Sequence, residues 1–233
     1  WVLKNSIYEN GAKVIFLNKN LLLDSGINKD QFLHKIEIIP NGVDEELFKG
    51  TKNKKTHEII FSGNLKRFQE GRGLEFIIST FSDKSMPEEY TLKVVGGPSS
   101  EVKRLKDYVT KLGLKNKIEF LDRIDRDLTI SNIESASFGL LINSSENLHS
   151  VKYSSPLKYF EYLYAGLKVI AINFPSHRIL PFADNISFFD ENDQESFIRA
   201  IQNSFTLEPI NKKDLVNITM ESRINKIISL INK

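Results

Sequence analysis

Short hydrophobic runs alternate with longer segments of mixed polarity along most of the chain. Most of the runs are continuous stretches of Val, Ile, Leu and Phe, which is typical of parallel strands that are buried on both faces. The predicted strands are 13–17, 36–39, 58–62, 92–95, 118–121, 138–142, 169–172 and 186–189.

The segments between these runs carry hydrophobic residues at helical spacing. The predicted helices are 74–81, 101–112, 127–134, 156–165, 194–204 and 219–231. Strands that alternate with helices are typical of an α/β fold built on a doubly wound parallel sheet. The polar, lysine-rich stretch 51–56 is the best candidate for a hinge or linker.

Composition narrows the class of protein without naming a function. The formal net charge of 233 residues is +2 and the basic residues are not clustered, so we expect no nucleic-acid partner. The chain has no apolar run long enough to span a membrane, and its first residues match neither an initiator methionine nor a signal peptide. Because cysteine is absent, disulfides and thiolate chemistry are excluded, which fits a reducing compartment.

The stretch 154–170 combines a helix start with chemistry suited to an anion. A serine before Pro156 is expected to cap the helix, Pro156 to occupy its first position and Gly166 to end it. Free N–H groups of the first turn, together with Lys158, would attract phosphate. Glu161 lies on the same face and could hold the hydroxyls of a ribose. The alternative is a surface helix with a Lys158–Glu161 ion pair.

Two further loops follow predicted strands and carry glycines or cations. Loop 62–73 contains several glycines and three basic residues, and loop 96–100 begins with two glycines. Ligands of doubly wound sheets bind beyond the carboxyl ends of the strands, where these loops and the segment 154–161 are expected to meet. The sequence therefore predicts one binding edge.

Five ordered motifs make the chain similar to a known family. They are Pro-Asn-Gly-Val-Asp at 40–44, Phe-Ser-Gly-Asn at 61–64, Val-Val-Gly-Gly-Pro at 94–98, Lys-Ile-Glu-Phe-Leu at 117–121 and Ser-Pro-Leu-Lys-Tyr-Phe-Glu-Tyr at 155–162. In this order and spacing the chain resembles the carboxyl-terminal, donor-binding half of a GT-B glycosyltransferase, most like family 4 and its relatives in bacterial polysaccharide biosynthesis.

The resemblance implies how the chain is divided. Residues 41–215 would form a Rossmann-like domain that binds a nucleotide-sugar, and 216–233 a terminal helix. Residues 1–40 would be the remnant of an amino-terminal acceptor domain with the crossover that follows it. About half of such an enzyme, including the catalytic residues that face the acceptor, is expected to be absent from this chain.

The resemblance also implies roles for individual residues. Glu161 would bind the ribose, while Arg123 and Ile124 would meet the base through main-chain groups. Asn64 stands where many relatives have arginine, so Lys66 or Arg67 is expected to supply a second cation. The implied diphosphate site consists of Gly63, Asn64, Lys66, Arg67, Arg72, Ser155, Pro156, Leu157 and Lys158.

One position departs from the pattern of many family 4 enzymes, which have a further glutamate eight residues before Glu161. Tyr153 stands there in this chain and cannot act as a carboxylate. Glu146 or His149 in the loop before it is an alternative contact for the donor sugar. The resemblance implies a retaining transfer, and the substituted residue leaves that mechanism open.

A metal site is not expected. Asp125-Arg126-Asp127 matches the Asp-x-Asp of metal-dependent GT-A glycosyltransferases, but its place before a predicted helix favours a capping role. Fixed cations and a helix terminus can stabilise a departing diphosphate without a metal ion. The prediction is therefore no metal and no cofactor, with a UDP- or GDP-type nucleotide-sugar as substrate.

The predicted function is the donor-binding part of a glycosyltransferase that moves a sugar to a glycan, lipid-linked or protein-linked acceptor. The chain alone is expected to transfer little or nothing, and to be cytoplasmic, with peripheral association to the inner face of the plasma membrane through the missing half. One alternative is the donor-binding subunit of a split transferase that needs a partner subunit. Another is a non-catalytic interaction module with a decayed nucleotide pocket.

Overall fold

Parallel strands form the centre of the computed structural model, which describes residues 8–11, 13–50, 57–67, 70–208 and 210–231. The predicted linker 51–56 lies outside the described residues. In chain order the strands are β1 (Val14–Phe16), β2 (Ile36–Ile38), β3 (Glu58–Ser62), β4 (Lys66–Arg67), β5 (Glu70–Gly71), β6 (Thr91–Val95), β7 (Ile118–Leu121), β8 (Phe138–Leu141), β9 (Lys168–Ile172) and β10 (Ile186–Phe189).

Helices connect these strands and close the chain. The α-helices are α1 (Lys19–Leu23), α2 (Lys29–Phe32), α3 (Leu74–Thr80), α4 (Ser99–Lys111), α5 (Arg126–Ser135), α6 (Leu148–Lys152), α7 (Leu157–Tyr164), α8 (Pro175–Arg178), α9 (Gln194–Ser204) and α10 (Met220–Ile231). Single turns of 3₁₀-helix span Leu33–Lys35, Glu45–Leu47, Ala183–Asn185 and Asp214–Ile218. None of the helices in the described ranges is both long and apolar enough to cross a membrane.

The central sheet has six strands in the order β10-β9-β8-β3-β6-β7, and every pairing in it is parallel. The chain enters at β3, winds outward through β6 and β7, returns to β8 and winds outward the other way. This is the doubly wound α/β fold that the sequence predicts. β1 and β2 form a separate parallel pair, and β4 and β5 form a short antiparallel hairpin.

Successive residues of β3 point to opposite faces of the sheet and enter two separate cores. Ile59 and Phe61 belong to the core that includes residues of α3, α4 and α9. Ile60 belongs to the core beneath α5 and α7. Because both faces are covered, the strand is buried throughout, which explains its continuous hydrophobic run.

The structure corrects two predicted helix caps. Helix α7 begins at Leu157, Pro156 is its N-cap, and no side chain caps it. The serines are engaged elsewhere, because the Ser155 hydroxyl accepts from the main chain of Asn41 and the Ser154 hydroxyl contacts Ser150 O. Asp125 stands at the N-cap of α5 as predicted, but its side chain makes no capping hydrogen bond.

The predicted strands and long helices are confirmed with shifts of a residue or two at their ends. Helices α1, α2, α6 and α8 and the β4–β5 hairpin were not predicted, because each is too short to show a period. The predicted domain boundaries at 40 and 215 stay predictions.

Candidate functional site

Two cavities open at the carboxyl edge of the sheet, the larger at the ends of β3 and β8, where the two halves of the winding diverge, and the smaller at the ends of β3 and β6. This is where ligands of doubly wound sheets bind. The larger cavity has a volume of about 990 Å³ and the smaller about 630 Å³, each with the open solvent at its mouth included. Ser62, Gly63 and Lys158 line both, so the two cavities form one continuous cleft across the end of β3.

Glycines let two loops approach each other at the floor of the smaller cavity. Gly96 has φ of +147°, and a Cβ there would lie 1.8 Å from Gly63 O. Gly63 N donates to Val95 O at 2.9 Å, and Leu65 N donates to Gly97 O at 2.8 Å. The backbone at the end of β3 is therefore held in place and open to a ligand.

Tyr162 fixes helix α7 against the sheet. Its hydroxyl accepts from Ser62 N at 2.9 Å, and burial raises its pKa, so the phenol stays neutral. A Cβ at Gly139 would lie 2.4 Å from ring atoms of Tyr162, so this position has room only for glycine. One tyrosine thus contacts both β3 and β8 and sets the distance of α7 from these strands.

The amino end of α7 faces the cleft and is held by Asn41. Asn41 Nδ2 donates to Ser155 O at 2.6 Å, and Asn41 N donates to the Ser155 hydroxyl at 3.2 Å. The first-turn N–H groups of Leu157 and Lys158 have no acceptor within the helix. Aligned donors, the positive end of the helix dipole and the Lys158 ammonium together make a site suited to phosphate.

Glu161 lies one turn deeper with both carboxylate oxygens engaged. Lys158 Nζ contacts its Oε2 at 2.7 Å, and Arg126 Nη2 contacts its Oε1 at 2.8 Å. The ion pair of the surface-helix alternative is thus present. Glu161 is only 3% exposed, however, so its carboxylate is buried and not on the surface. Burial lowers the pKa of the Lys158 ammonium, and the Glu161 carboxylate opposes that shift.

Most of the residues predicted to bind the donor come together here. The smaller cavity is lined by Gly63, Asn64, Arg123, Ile124 and Lys158. The larger cavity is lined by Gly63, Arg72, Ser155, Pro156, Leu157 and Lys158. Glu161 lines neither cavity itself, but it contacts Lys158, which lines both. Whether these residues bind a diphosphate, a ribose and a base stays a prediction.

Of the two residues predicted to supply a second cation, the structure describes the side chain of Lys66 alone, and that side chain is not in the cleft. Lys66 Nζ lies 3.2 Å from Oε2 of the buried Glu101 on α4, and Lys66 lines neither cavity. The side chain of Arg67 lies outside the described residues. Which residue supplies a second cation stays a prediction.

Glu146 and His149, the two alternatives to a second glutamate, and Tyr153, which replaces it, do not all reach the cleft. Tyr153 and His149 both line the larger cavity, whereas Glu146 does not. The Tyr153 hydroxyl donates to Asp24 Oδ2 at 2.7 Å, and this hydrogen bond raises the pKa of the phenol. Tyr153 therefore joins the cleft to the amino-terminal segment.

Two residues of the site were missed by sequence reasoning. Arg126 was grouped with Asp125 as part of a capping motif, although it lies at the contact with Glu161. A basic residue in the first turn of a helix opposes the helix dipole, and that signal could have singled it out. Asn41 belongs to the first of the five motifs, but only the fold shows that it holds Ser155.

The comparisons with known proteins identify the family and the fold. The sequence profile of the family "Glycosyl transferases group 1" matches residues 43–218, and the chain belongs to that family. The fold is that of the carboxyl-terminal-like half of GT-B glycosyltransferases, as the resemblance implies. No curated protein matches the sequence.

Solved structures share the fold at low sequence identity. Sucrose-phosphate synthase from Thermosynechococcus elongatus is 16% identical with a TM-score of 0.69, over 99% of this chain and 60% of that one. Anabaena HepE in complex with UDP is 15% identical with a TM-score of 0.72, over 99% of this chain and 66% of that one. The pneumococcal O-GlcNAc transferase GtfA is 12% identical with a TM-score of 0.63, over 94% and 44%. The chain thus spans less than two thirds of each of these proteins.

Proposed function

We propose that this chain is the donor-binding part of a glycosyltransferase that moves a sugar from a UDP- or GDP-type nucleotide-sugar to a glycan, lipid-linked or protein-linked acceptor. The observation that carries the proposal is Glu161, held between Lys158 and Arg126 one turn behind the amino end of α7. Along α7 the helix terminus and the Lys158 ammonium come first, where the diphosphate would lie. The Glu161 carboxylate comes next, where the ribose would lie.

The proposed binding mode assigns one part of the donor to each part of the cleft. The diphosphate lies against the amino end of α7, where Lys158 and Arg72 neutralise it. The ribose hydroxyls donate to Glu161, and the base enters the smaller cavity beside Arg123 and Ile124. The transferred sugar then lies in the larger cavity.

Fixed positive charge supplies the chemistry in this proposal. Negative charge develops on the diphosphate as the bond to the sugar breaks, and preorganised donors stabilise that charge most where water is excluded. Lys158 is suited to this role because it is partly buried and already oriented by Glu161. We therefore propose that donor binding needs neither a metal ion nor another cofactor.

Family membership and the ligands of similar structures support a nucleotide-sugar substrate. HepE was solved with UDP, with UDP and glucose, and with UDP-glucose. GtfA was solved with UDP and GlcNAc. Two further similar structures are transferases of lipopolysaccharide synthesis, which favours a bacterial polysaccharide or lipid-linked acceptor.

The proposal extends to parts that this chain does not contain. An amino-terminal domain or a partner subunit would bind the acceptor and supply the catalytic residues, so the chain alone would transfer little or nothing. Transfer would take place in the cytoplasm or at the inner face of the plasma membrane, with retention of anomeric configuration. The anomeric configuration of the product of the completed enzyme, read by NMR, tests the last point.

Calorimetry with UDP and GDP tests donor binding directly. We expect saturable binding of at least one of them, unchanged by EDTA. Glu161→Gln removes the charge at nearly constant shape, and we expect it to weaken binding by about tenfold or more, since a hydrogen bond to a charged group contributes about 1.5–3 kcal/mol. Glu195→Gln is the matched control, because Glu195 is an exposed partner of Arg199 on α9.

Two results would contradict the proposal. Absence of binding to both nucleotides would favour a decayed pocket or an interaction module. Equal affinity of the wild type and Glu161→Gln would show that Glu161 does not bind the nucleotide, even if a nucleotide binds elsewhere on the molecule.

A further inference from the structure

Arg126 occupies a position that helix stability does not explain. It is the first residue of α5, where a cation faces the positive end of the helix dipole. Its side chain does not pair with its neighbours in sequence but reaches Glu161 on α7, 35 positions further along the chain. The reason for an arginine here therefore lies in the cleft.

The two cations on Glu161 do not use all of its acceptor capacity. A carboxylate offers about four acceptor sites on its two oxygens. Lys158 takes one site on Oε2 and Arg126 takes one on Oε1, so each oxygen keeps acceptor capacity. Held at both oxygens, the plane of the carboxylate is fixed before any ligand arrives.

Arg126 supplies the half of this arrangement that α7 cannot supply itself. Lys158 lies three residues before Glu161 on the same helix and contacts only one oxygen. Arg126 comes from a different helix, its side chain is 46% exposed, and it lines the smaller cavity together with Arg123 and Ile124. Without it, the carboxylate would be free to rotate about its contact with Lys158.

We propose that Arg126 is a positioning residue that orients Glu161 toward the two hydroxyls of a ribose, and that it thereby makes the cleft discriminate ribonucleotides from deoxyribonucleotides. This inference rests on the proposed function, because it presumes that a nucleotide lies on α7. It assigns Arg126 an effect on one part of the ligand, the sugar of the nucleoside.

The test compares a nucleoside diphosphate with its 2′-deoxy form. UDP or GDP is used, whichever the wild-type chain binds more tightly, and each titration is done by calorimetry. The wild type should prefer the ribonucleotide by about tenfold or more, the worth of a hydrogen bond to a charged group. In Arg126→Ala this preference should fall below about threefold, because the acceptor is no longer oriented.

Two further variants complete the design. Arg126→Lys keeps the charge but not the planar fork, so its preference should lie between those of the wild type and Arg126→Ala. Arg199→Ala is the matched control, since Arg199 pairs with Glu195 on a helix far along the chain, and it should keep the full preference. If Arg126→Ala fails to fold, Arg126→Lys carries the comparison.

The outcomes separate this inference from the proposed function. If Arg126→Ala binds both nucleotides more weakly by the same factor, Arg126 acts only through charge or folding and the inference is wrong. If the wild type binds the nucleotide without a preference for ribose, Glu161 does not hold the sugar and the inference is also wrong. If the wild type binds neither UDP nor GDP, the proposed function itself fails.

Discussion

Glu161 is a buried carboxylate whose charge is balanced entirely within the cleft. Leaving a buried ion without one of its partners costs far more free energy than a surface ion pair contributes. Both the Arg126 and the Lys158 contact are therefore needed to balance the buried carboxylate. That Lys158 and Glu161 share a helix face could be predicted from their spacing. The contact with Arg126 could not, because it joins residues far apart in sequence whose meeting depends on the packing of α5 against α7.

A second residue, His177, should make the free energy of unfolding depend on pH. It is fully buried, and one ring nitrogen contacts Ile172 O at 2.8 Å, which only accepts, so this nitrogen carries the proton. The other ring nitrogen has no hydrogen-bond partner among the described residues. Burial lowers the pKa of His177 to about 4 from its ordinary 6.5.

The sign of the effect follows from where the proton binds. Between pH 6.5 and about 4 the unfolded chain binds the proton and the folded chain does not, so stability falls as the pH falls through this window. The contribution is about 3 kcal/mol at most. Urea denaturation at several pH values should show a smaller loss for His177→Asn than for the wild type, whereas His34→Asn, at an exposed site, should match the wild type.

A loss of stability that is the same in His177→Asn and the wild type would contradict this prediction. It would assign the acid sensitivity to carboxylates instead.

At the scale of elements, the amino end of α7 depends on a residue outside the helix. No side chain caps this helix, and the chain before it is held by two hydrogen bonds from Asn41. Strands and long helices could be predicted because their hydrophobic patterns extend over enough residues. The hold of Asn41 on Ser155 could not, because 114 positions separate them.

Asn41→Ala should therefore weaken nucleotide binding as well as stability. Losing the amide donor leaves Ser155 O without this partner and should lower the free energy of unfolding by about 1 kcal/mol. Because the first turn of α7, the proposed phosphate site, is then less ordered, affinity for UDP or GDP should fall about threefold to tenfold. Calorimetry and urea denaturation measure the two effects separately.

Asn185→Ala is the control for this substitution. Its Nδ2 donates to Glu208 O at 2.8 Å, far from the cleft, so the variant loses the same kind of hydrogen bond. It should lose stability and keep full affinity. If Asn41→Ala also keeps full affinity, Asn41 stabilises the fold without shaping the site.

At the scale of the whole molecule, the binding edge follows from the strand order. β3 and β8 lie side by side in the middle of the sheet, and the chain leaves them in opposite directions. The sequence predicts that the loops after these strands share one edge, since all parallel strands end there. It does not predict where long side chains turn within that edge. The pairing of Lys66 with Glu101 could therefore not be foreseen.

The amino- and carboxyl-terminal parts of the described chain are also joined to this edge. Val43 pairs with Thr219, and Asn18 Nδ2 donates to Ser154 O at 3.4 Å, shortly before the first turn of α7. The segment that precedes β3 is thus part of the structure that supports the site.

The measurement that tests the central claim most directly is a crystal structure of the chain soaked with the nucleoside diphosphate that binds. The account predicts the diphosphate at the amino end of α7, in contact with Lys158, and the ribose hydroxyls within hydrogen-bond distance of Glu161. A nucleotide bound at any other place on the molecule, or a ribose turned away from Glu161, would contradict it.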